Sequence, residues 1–311
     1  MPSFARVGSA APPAFREPPR PGLLFAGLGS WVAATVVVSS FAAPPIFAAV
    51  EAMFPGRFPF LRVFRRVAML AAIVFLVLWS RRVGARAPRD FGLASGGWRA
   101  LLGGFLAGAA TLGAAGALEL WGGQRRWIGE LRPAMILEAI VAAAAIGFVE
   151  QLVFHGLWLY PFGRLRGAAF AASCLATSAL YATAHFARGS GRVARVDEWS
   201  GLSVWSGVPA AIARYGEAWL GLAAAAALLY AVAWRTGQVW GAVGLHSGAV
   251  LALKLASLVS RPVLSGASWF FVDGILPGWR LAILFVALVP VALLGGPGTW
   301  LARWARQPEM T

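Results

Sequence analysis

Residues 134–160 read AMILEAIVAAAAIGFVEQLVFHGLWLY, and this stretch decides the class of fold. It is long and apolar enough to cross a bilayer as one helix, which takes about 20 mostly apolar residues. Glu150, Gln151 and His155 nevertheless lie inside it. An ionisable group at such depth costs about 2.5–3.5 kcal/mol on insertion scales. We therefore expect these side chains to face a protein interior or a wet cavity and to mark a functional site.

The composition of the whole chain agrees with a membrane protein. Of the 311 residues, 59% are hydrophobic and 13% are charged, whereas a soluble domain carries about 25% charged residues. The net charge is +15, but the arginines cluster between the hydrophobic runs, where they suit lipid headgroups and helix ends. This distribution favours membrane lipid as a partner and excludes a nucleic-acid-binding protein.

Hydrophobic runs of spanning length recur along the chain. The predicted spans are about 23–41, 63–80, 98–121, 134–160, 167–186, 217–234, 239–259 and 279–294. We expect the first to end near Pro44 and Pro45, because proline breaks or kinks a helix. The third carries Gly104 and Gly108, a G-x-x-x-G spacing that permits close contact between helices. The sequence thus predicts an all-α polytopic membrane protein, a bundle of about eight transmembrane helices.

The predicted organisation has three parts. Residues 1–22 form a disordered N-terminal tail without the apolar core of a signal peptide. Residues 23–296 form the transmembrane domain, and residues 297–311 form a basic C-terminal tail. Basic residues divide evenly between the two sides of the membrane, so the positive-inside rule assigns no orientation. We expect a multi-pass protein of a bacterial inner membrane.

Three spans each contribute one candidate catalytic residue: Glu150, His185 and His246. A carboxylate can act as a general base on water, and neighbouring imidazoles can orient that water and stabilise a developing oxyanion. The set therefore indicates an intramembrane hydrolase. One glutamate and two histidines also match the ligands of a catalytic zinc, so the sequence leaves a zinc site at these positions open, although we predict no cofactor.

Helical spacing orders the side chains around this set. Gln151 and His155 are four residues apart, which allows a hydrogen bond along one face, whereas Glu150 and His155 diverge by about 140° at 100° per residue. Tyr181 shares a face with His185 one turn later. We expect His155 to be a structural partner of Gln151 rather than a catalytic group.

Other polar residues receive structural interpretations. We expect Lys254, the chain's one lysine, to be a side chain that snorkels from the seventh span to the interface. Glu119, near the end of the third span, is expected at the membrane interface. Val250 follows His246 by four residues and shares its face.

Three segments resemble motifs of one family, the CPBP intramembrane proteases, which are the type II CAAX prenyl endopeptidase and bacteriocin-processing proteins, also called Abi. The segment EQLVFHGLW, 150–158, resembles the motif E-E-x-x-F-R-G. The segment SALYATAHF, 178–186, resembles F-x-x-x-H, with Tyr181 in place of Phe. The segment RTGQVWGAVGLH, 235–246, resembles the third motif region of the family, in which a short turn leads into a helix that carries a histidine. The order and separations are those of the family, and the likeness covers about 134–260.

The resemblance implies about eight membrane helices and peptide hydrolysis within the membrane. It implies that Glu150 activates water and that His185 and His246 complete the site. The family's mechanism is described as glutamate-based and metal-free. The implied substrate is a membrane-proximal or C-terminal segment of a protein or peptide.

The chain departs from the family pattern at three positions. Gln151 replaces the usual second Glu, His155 replaces the usual Arg, and Val250 replaces a common Asn or Asp. The first two changes together exchange an ion pair for two neutral polar groups, which indicates a compensated swap. Val250 removes a polar group one turn from His246. These departures keep a second hypothesis open, a catalytically inactive membrane scaffold or immunity-type protein. A transporter or proton relay ranks third because no internal repeat is visible.

Overall fold

The computed structural model describes residues 20–85, 87–129, 132–162, 165, 167–187, 195–263, 270–272 and 276–294. The two predicted tails, 1–22 and 297–311, lie outside these residues except for positions 20–22. Position 21 already begins the first helix.

The described chain is almost entirely helical, as predicted. In chain order the helices are α1 (Pro21–Met53), α2 (Phe60–Arg82), α3 (Trp98–Trp121), α4 (Pro133–Gln151), α5 (Leu157–Phe162), α6 (Gly167–His185), α7 (Ser200–Ser206), α8 (Val208–Arg214), α9 (Gly216–Thr236), α10 (Trp240–Val259) and α11 (Trp279–Leu294). A 3₁₀ turn covers Pro88–Phe91, and a π-turn, Leu152–Gly156, joins α4 to α5. Two short antiparallel pairs complete the structure: β1 (Arg125–Trp127) with β2 (Ser260–Pro262), and β3 (Phe271–Val272) with β4 (Leu276–Pro277).

The fold class is confirmed. Within the described ranges, 6 helices are long and apolar enough to cross a membrane: α1, α3, α4 with its π-turn, α6, α9 and α10. Helix α2 occupies the predicted second span and carries arginines at both ends, and α11 occupies the predicted eighth span as a shorter apolar helix of 16 residues. The chain is an integral multi-pass membrane protein.

The first helix does not end at its proline pair, contrary to the sequence expectation. Helix α1 runs for 33 residues with Pro44 and Pro45 inside it. Pro44 has no N–H for the carbonyl of Ser40, the residue one turn earlier. That carbonyl lies against Gly201 of α7, so closely that a Cβ at position 201 would collide with it. The absence of a side chain at Gly201 thus leaves room for the Ser40 carbonyl, which Pro44 cannot bond.

Glycines bring α3 and α10 into close contact. A Cβ added at Gly104 or Gly108 of α3 would collide with the backbone of α10, and one added at Gly244 or Gly248 of α10 would collide with the backbone of α3. The G-x-x-x-G of α3 therefore meets a second G-x-x-x-G on α10. This reciprocal seam confirms the close contact predicted from Gly104 and Gly108, and it fixes the rotation of α10 and hence the direction of His246.

Helix α9 is the central helix of the bundle. In its most apolar window 61% of the residues are buried, against 28–33% for the other five candidate spans. It packs against α6, α10 and α11. Helix α4 meets α10 where Gly147 lies directly against Ser247. The site residues on α4, α6 and α10 therefore converge beside α9.

The sequence predicted that Glu119 lies at the membrane interface, and this prediction is wrong. Glu119 is fully buried in an ion pair. Its Oε2 lies 3.9 Å from Nη1 of Arg125, and its Oε1 accepts a 2.8 Å hydrogen bond from the backbone N–H of Phe270. Arg125 also donates from Nε to Ser260 Oγ at 2.8 Å. Burial lowers the pKa of the Arg125 guanidinium, and the Glu119 carboxylate opposes that shift. The pair joins the end of α3 to β1, β2 and β3.

Candidate active site

The three candidate catalytic side chains meet at one point. Glu150 Oε2 lies 3.6 Å from His185 Nε2 and 3.7 Å from His246 Nε2. Both separations exceed a direct hydrogen bond but bring the two imidazoles to one carboxylate oxygen. That oxygen is buried and has no hydrogen-bond partner among the described residues. The arrangement gives the carboxylate an unused acceptor position between two imidazole nitrogens.

His246 is held by Gln151 across the contact between α4 and α10. Gln151 Nε2 lies 2.8 Å from His246 Nδ1, and both side chains are buried. The amide N–H donates to Nδ1, so neutral His246 carries its proton on Nε2. This nitrogen faces Glu150 and lies 3.5 Å from the Tyr181 hydroxyl. His246 therefore presents an N–H donor to the site.

His185 is held in the opposite tautomer by its own helix. Its Nδ1 lies 2.9 Å from the backbone carbonyl of Tyr181, and a carbonyl only accepts. Nδ1 therefore carries the proton, and Nε2 of neutral His185 presents a lone pair toward Glu150. The rings of Tyr181 and His185 lie 4.5 Å apart, which confirms that they share a face. The two histidines thus offer one donor and one acceptor.

The predicted pairing of Gln151 with His155 is wrong. His155 Nε2 instead donates to the backbone carbonyl of Ala226 on α9 at 3.2 Å, while Gln151 bonds to His246. The reason is the π-turn, which begins directly after Gln151 and accommodates an extra residue in the turn. The side chain four positions after Gln151 therefore no longer lies above it. His155 is fully buried, with its ring 6.1 Å from that of Tyr230, and it ties α4 to α9.

Sequence reasoning missed this π-turn. A π-turn requires no proline and does not change the hydrophobic periodicity of the sequence. It is stabilised by tertiary contacts, which the local sequence does not show. The one local signal is Gly156, where a Cβ would crowd the carbonyl of Phe91 and the side chains of Leu152 and Val239. Such turns frequently occur at functional sites, and here the turn directly follows Glu150 and Gln151.

A large cavity adjoins the three residues. Its volume is about 690 Å³, and its walls come from α3, α4, α6, α9, α10, α11 and β4. Glu150, Tyr181, His185 and His246 line it, and Val250 adds an apolar surface one turn from His246. Most other lining residues are leucine or alanine. A pocket of this size and character suits an apolar segment of a ligand with a few polar groups to orient it.

The zinc alternative has no geometric support in the described part of the chain. No group of three or more His, Cys, Asp or Glu side chains there is arranged to hold a metal ion. Only His185 presents an Nε2 lone pair toward Glu150, because Gln151 donates to Nδ1 of His246 and leaves Nε2 of neutral His246 protonated. We therefore derive no step through a metal.

The fold and the site together define the class of protein: a multi-pass membrane protein whose helices bring a carboxylate and two imidazoles to the wall of an apolar cavity. Residues 132–252 match the family described as Type II CAAX prenyl endopeptidase Rce1-like. The matched segment includes Glu150, His185 and His246. Over this segment the chain is similar to a family of CAAX-type membrane peptide hydrolases. No curated protein and no solved structure matches it.

Proposed function

We propose that the protein is an intramembrane endopeptidase in which Glu150 activates water and His185 and His246 assist. The supporting observation is the approach of both Nε2 atoms to the same Glu150 oxygen, 3.6 Å and 3.7 Å away, at the cavity wall. The substrate is a membrane-proximal or C-terminal segment of a protein or peptide. We also propose a bacterial inner membrane as its location.

The first chemical step is attack by water on the scissile carbonyl. Glu150 accepts a proton from the water as a general base. His185 Nε2, with its lone pair directed to the same place, accepts a hydrogen bond that orients the water. The lining of the cavity is mostly apolar, and such surroundings strengthen each of these interactions.

The second step requires stabilisation of the oxyanion and protonation of the leaving amine. His246 Nε2–H, held by Gln151, and the Tyr181 hydroxyl, 3.5 Å from that nitrogen, are the donors available to the oxyanion. Protonated Glu150 then gives its proton to the leaving nitrogen as the C–N bond breaks. The products are a new carboxylic acid, which then releases its proton to water, and a new amine, and Glu150 returns to the carboxylate state.

One observation favours the alternative of an inactive scaffold. Val250 brings an alkyl side chain to the cavity wall one turn from His246, where the family commonly has an amide or carboxylate. This removes one polar contact for the oxyanion or water. The Tyr181 hydroxyl lies near the same nitrogen of His246, and in the proposed mechanism it takes over that contact.

The test is hydrolysis by the purified protein in liposomes, with quenched fluorescent peptides that carry apolar C-terminal segments. The reaction is run in ¹⁸O-labelled water, so that a new carboxylate is identified by mass. We expect the wild type to cleave and Glu150→Gln and Glu150→Ala to be slower by about 10³-fold or more, as for loss of a general base and its water.

Glu138→Gln is the matched control, because Glu138 is an exposed carboxylate on the same helix, and it should cleave like the wild type. Cleavage by Glu150→Ala at the wild-type rate would refute the proposed role. If a cellular phenotype survives Glu150→Gln but is lost when Gly248→Leu disrupts the bundle, the scaffold alternative is supported instead.

A further inference from the structure

The turn between α1 and α2, together with the first turns of α2, carries a dense group of cations. Four arginines lie between positions 57 and 66, and all are exposed: Arg57, Arg62, Arg65 and Arg66. We call these four residues the basic patch. Glu51 is the one carboxylate between positions 51 and 66, and its Oε1 accepts a hydrogen bond from the N–H of Gly56 at 2.8 Å. The segment therefore has a clear excess of positive charge at its surface.

Two of these cations share one aromatic ring. The guanidinium carbons of Arg57 and Arg62 lie 5.7 Å and 6.0 Å from the centre of the Phe58 ring. Cation–π contact holds each guanidinium near the ring, and it thereby also holds two like charges close to each other. Neither guanidinium forms an ion pair with a carboxylate of the described residues. An anion between the two would relieve their repulsion while each keeps its contact with the ring.

The start of α2 adds to the attraction for an anion. The N-cap residue Pro59 makes no side-chain cap, and the first turn of α2 contains no acidic residue. The N-terminus of a helix carries a partial positive charge, because its first N–H groups have no partners within the helix. Arg62 and Arg66 follow four residues apart on one face of this helix. The same part of the surface thus combines guanidinium groups with the positive end of a helix.

The basic patch adjoins exposed apolar side chains at the end of a membrane span. It follows α1, which is long and apolar enough to cross a membrane. Met53 and Phe54, at the end of α1, are 64% and 45% exposed. Lipid phosphates attract basic side chains at the membrane surface, and acyl chains cover apolar ones. One phospholipid contacts both kinds of side chain, which a free anion or an acidic protein loop does not.

We propose that the basic patch binds an anionic phospholipid with two phosphates in one headgroup, of the diphosphatidylglycerol (cardiolipin) class. One phosphate lies between Arg57 and Arg62 and accepts charge-assisted hydrogen bonds from both. The other faces Arg66 and the start of α2. A headgroup with a single phosphate occupies only one of these two positions. This inference is independent of the proposed hydrolytic function.

The bound lipid supports packing that extends to the active site. On the buried side of the same turns of α2, Phe60 and Phe64 pack against Val204 of α7. The Phe64 ring lies 5.8 Å from the ring of Trp205, and Trp205 packs against the apolar cluster that contains Tyr181. A lipid that holds the start of α2 therefore stabilises the contacts behind α6. We expect cardiolipin to stabilise the protein against unfolding.

Lipid binding to the purified protein in detergent tests the proposal. Fluorescent cardiolipin in mixed micelles with phosphatidylcholine is titrated with the wild type and with the double variant Arg57→Gln with Arg62→Gln. We expect the double variant to bind about 10- to 30-fold more weakly, since each cation near a lipid headgroup contributes about fivefold. An unchanged affinity overturns the proposal.

Arg81→Gln with Arg82→Gln is the matched control, because it removes the same charge from two exposed arginines at the other end of α2. This variant should bind cardiolipin as the wild type does. Equal losses of affinity in the two double variants would show that net charge alone attracts the lipid, and would overturn the proposal.

The number of phosphates is tested by comparison of ligands. At equal phosphate concentration the wild type should prefer cardiolipin to phosphatidylglycerol, and Phe58→Leu, which keeps all four cations but removes the shared ring, should lose most of this preference. Equal binding of the two lipids by the wild type would assign the patch to a single phosphate and overturn the proposal. Displacement of cardiolipin by inorganic phosphate at the same phosphate concentration would overturn it in favour of a free anion.

Thermal unfolding gives a second readout, which needs no fluorescent lipid. Cardiolipin should raise the unfolding temperature of the wild type and of Arg81→Gln with Arg82→Gln, because a ligand of the folded state stabilises it by mass action. It should not raise that of Arg57→Gln with Arg62→Gln. An equal rise in all three proteins would place the stabilising lipid elsewhere and overturn the proposal.

Discussion

Among single residues, Gln151 orients one of the two candidate catalytic histidines. The family pattern has a glutamate at this position, and the sequence predicted a hydrogen bond between the amide that replaces it and His155. In the structure the amide instead donates to Nδ1 of His246. It thereby fixes which nitrogen of His246 faces Glu150. Groups that orient a catalytic imidazole in this way act through another residue, and their loss lowers turnover more than binding.

We predict that Gln151→Leu lowers kcat by about 10- to 100-fold, the range typical for the loss of an orienting hydrogen bond, and changes KM by less than about threefold. The physical reason is that Nδ1 of His246 loses its donor, so the Nε2–H tautomer is no longer selected. Steady-state kinetics on a cleaved peptide measure both constants.

His155→Leu is the comparison for this prediction, because His155 is equally buried but bonds to the carbonyl of Ala226. The His155→Leu variant should lower the free energy of unfolding by about 1 kcal/mol and should affect kcat much less than Gln151→Leu does. A Gln151→Leu enzyme with unchanged kcat would show that the hydrogen bond to His246 has no positioning role.

Among the elements, the pair of α3 and α10 decides where His246 points. Their glycines face each other, so the two backbones come as close as glycine alone permits. A lateral shift of α10 would move His246 away from Glu150, since His246 lies between Gly244 and Gly248 on this helix. The geometry of the site therefore depends on small residues that have no chemical role.

We predict that Gly108→Ala lowers the free energy of unfolding by about 1–3 kcal/mol, the usual cost of overpacking, and also lowers activity. The added methyl would collide with the carbonyl of Leu245, the residue next to His246. Thermal unfolding in detergent and peptide hydrolysis are the two measurements.

Gly113→Ala provides a matched control on the same helix, because a Cβ at Gly113 meets nothing within 4 Å. This variant should be as stable as the wild type or slightly more stable, by up to about 1 kcal/mol, since alanine favours a helix over glycine. Equal losses from both substitutions would mean that the seam does not constrain α10.

At the scale of the whole molecule, two clusters of ionisable side chains among the described residues differ in their surroundings and in their roles. The cluster of Glu150, His185 and His246 borders the cavity and is partly accessible. The ion pair of Glu119 and Arg125 is closed to solvent and joins α3 to three strands. The first group is suited to chemistry, whereas the second is suited to connecting the loop regions at one end of the bundle.

We predict that Glu119→Gln lowers the free energy of unfolding by about 3 kcal/mol, because it leaves the Arg125 guanidinium buried without its carboxylate. The double variant Glu119→Gln with Arg125→Met should recover part of this loss, since no buried charge then remains unpaired. Chemical or thermal unfolding in detergent measures both effects.

Glu138→Gln, which changes an exposed carboxylate, should leave stability within about 0.5 kcal/mol of the wild type. A Glu119→Gln protein as stable as this control would contradict a structural role for the pair.

The sequence determined the membrane fold and the identity of the candidate site. Every predicted span overlaps a helix, and α3 and α11 have the predicted bounds, because spanning length and apolar composition are local properties that a bilayer imposes. Glu150, His185 and His246 could be selected from the sequence because polar groups are costly in such segments. Their meeting at one oxygen agrees with that selection.

Only the tertiary structure decided what each polar group contacts. Gln151 bonds to His246 instead of the predicted His155, and His155 bonds to the carbonyl of Ala226. The reason is that a π-turn shifts the rotation of the helix by an amount that sequence periodicity does not encode. Helix α1 continues through Pro44, and the carbonyl of Ser40, to which Pro44 has no N–H to donate, lies against Gly201 of α7. Glu119 is buried because the backbone N–H groups of a distant segment, Phe270 and Phe271, donate to it, and its ion-pair partner Arg125 is held in turn by Ser260. These outcomes depend on contacts between distant segments, which local sequence patterns do not specify.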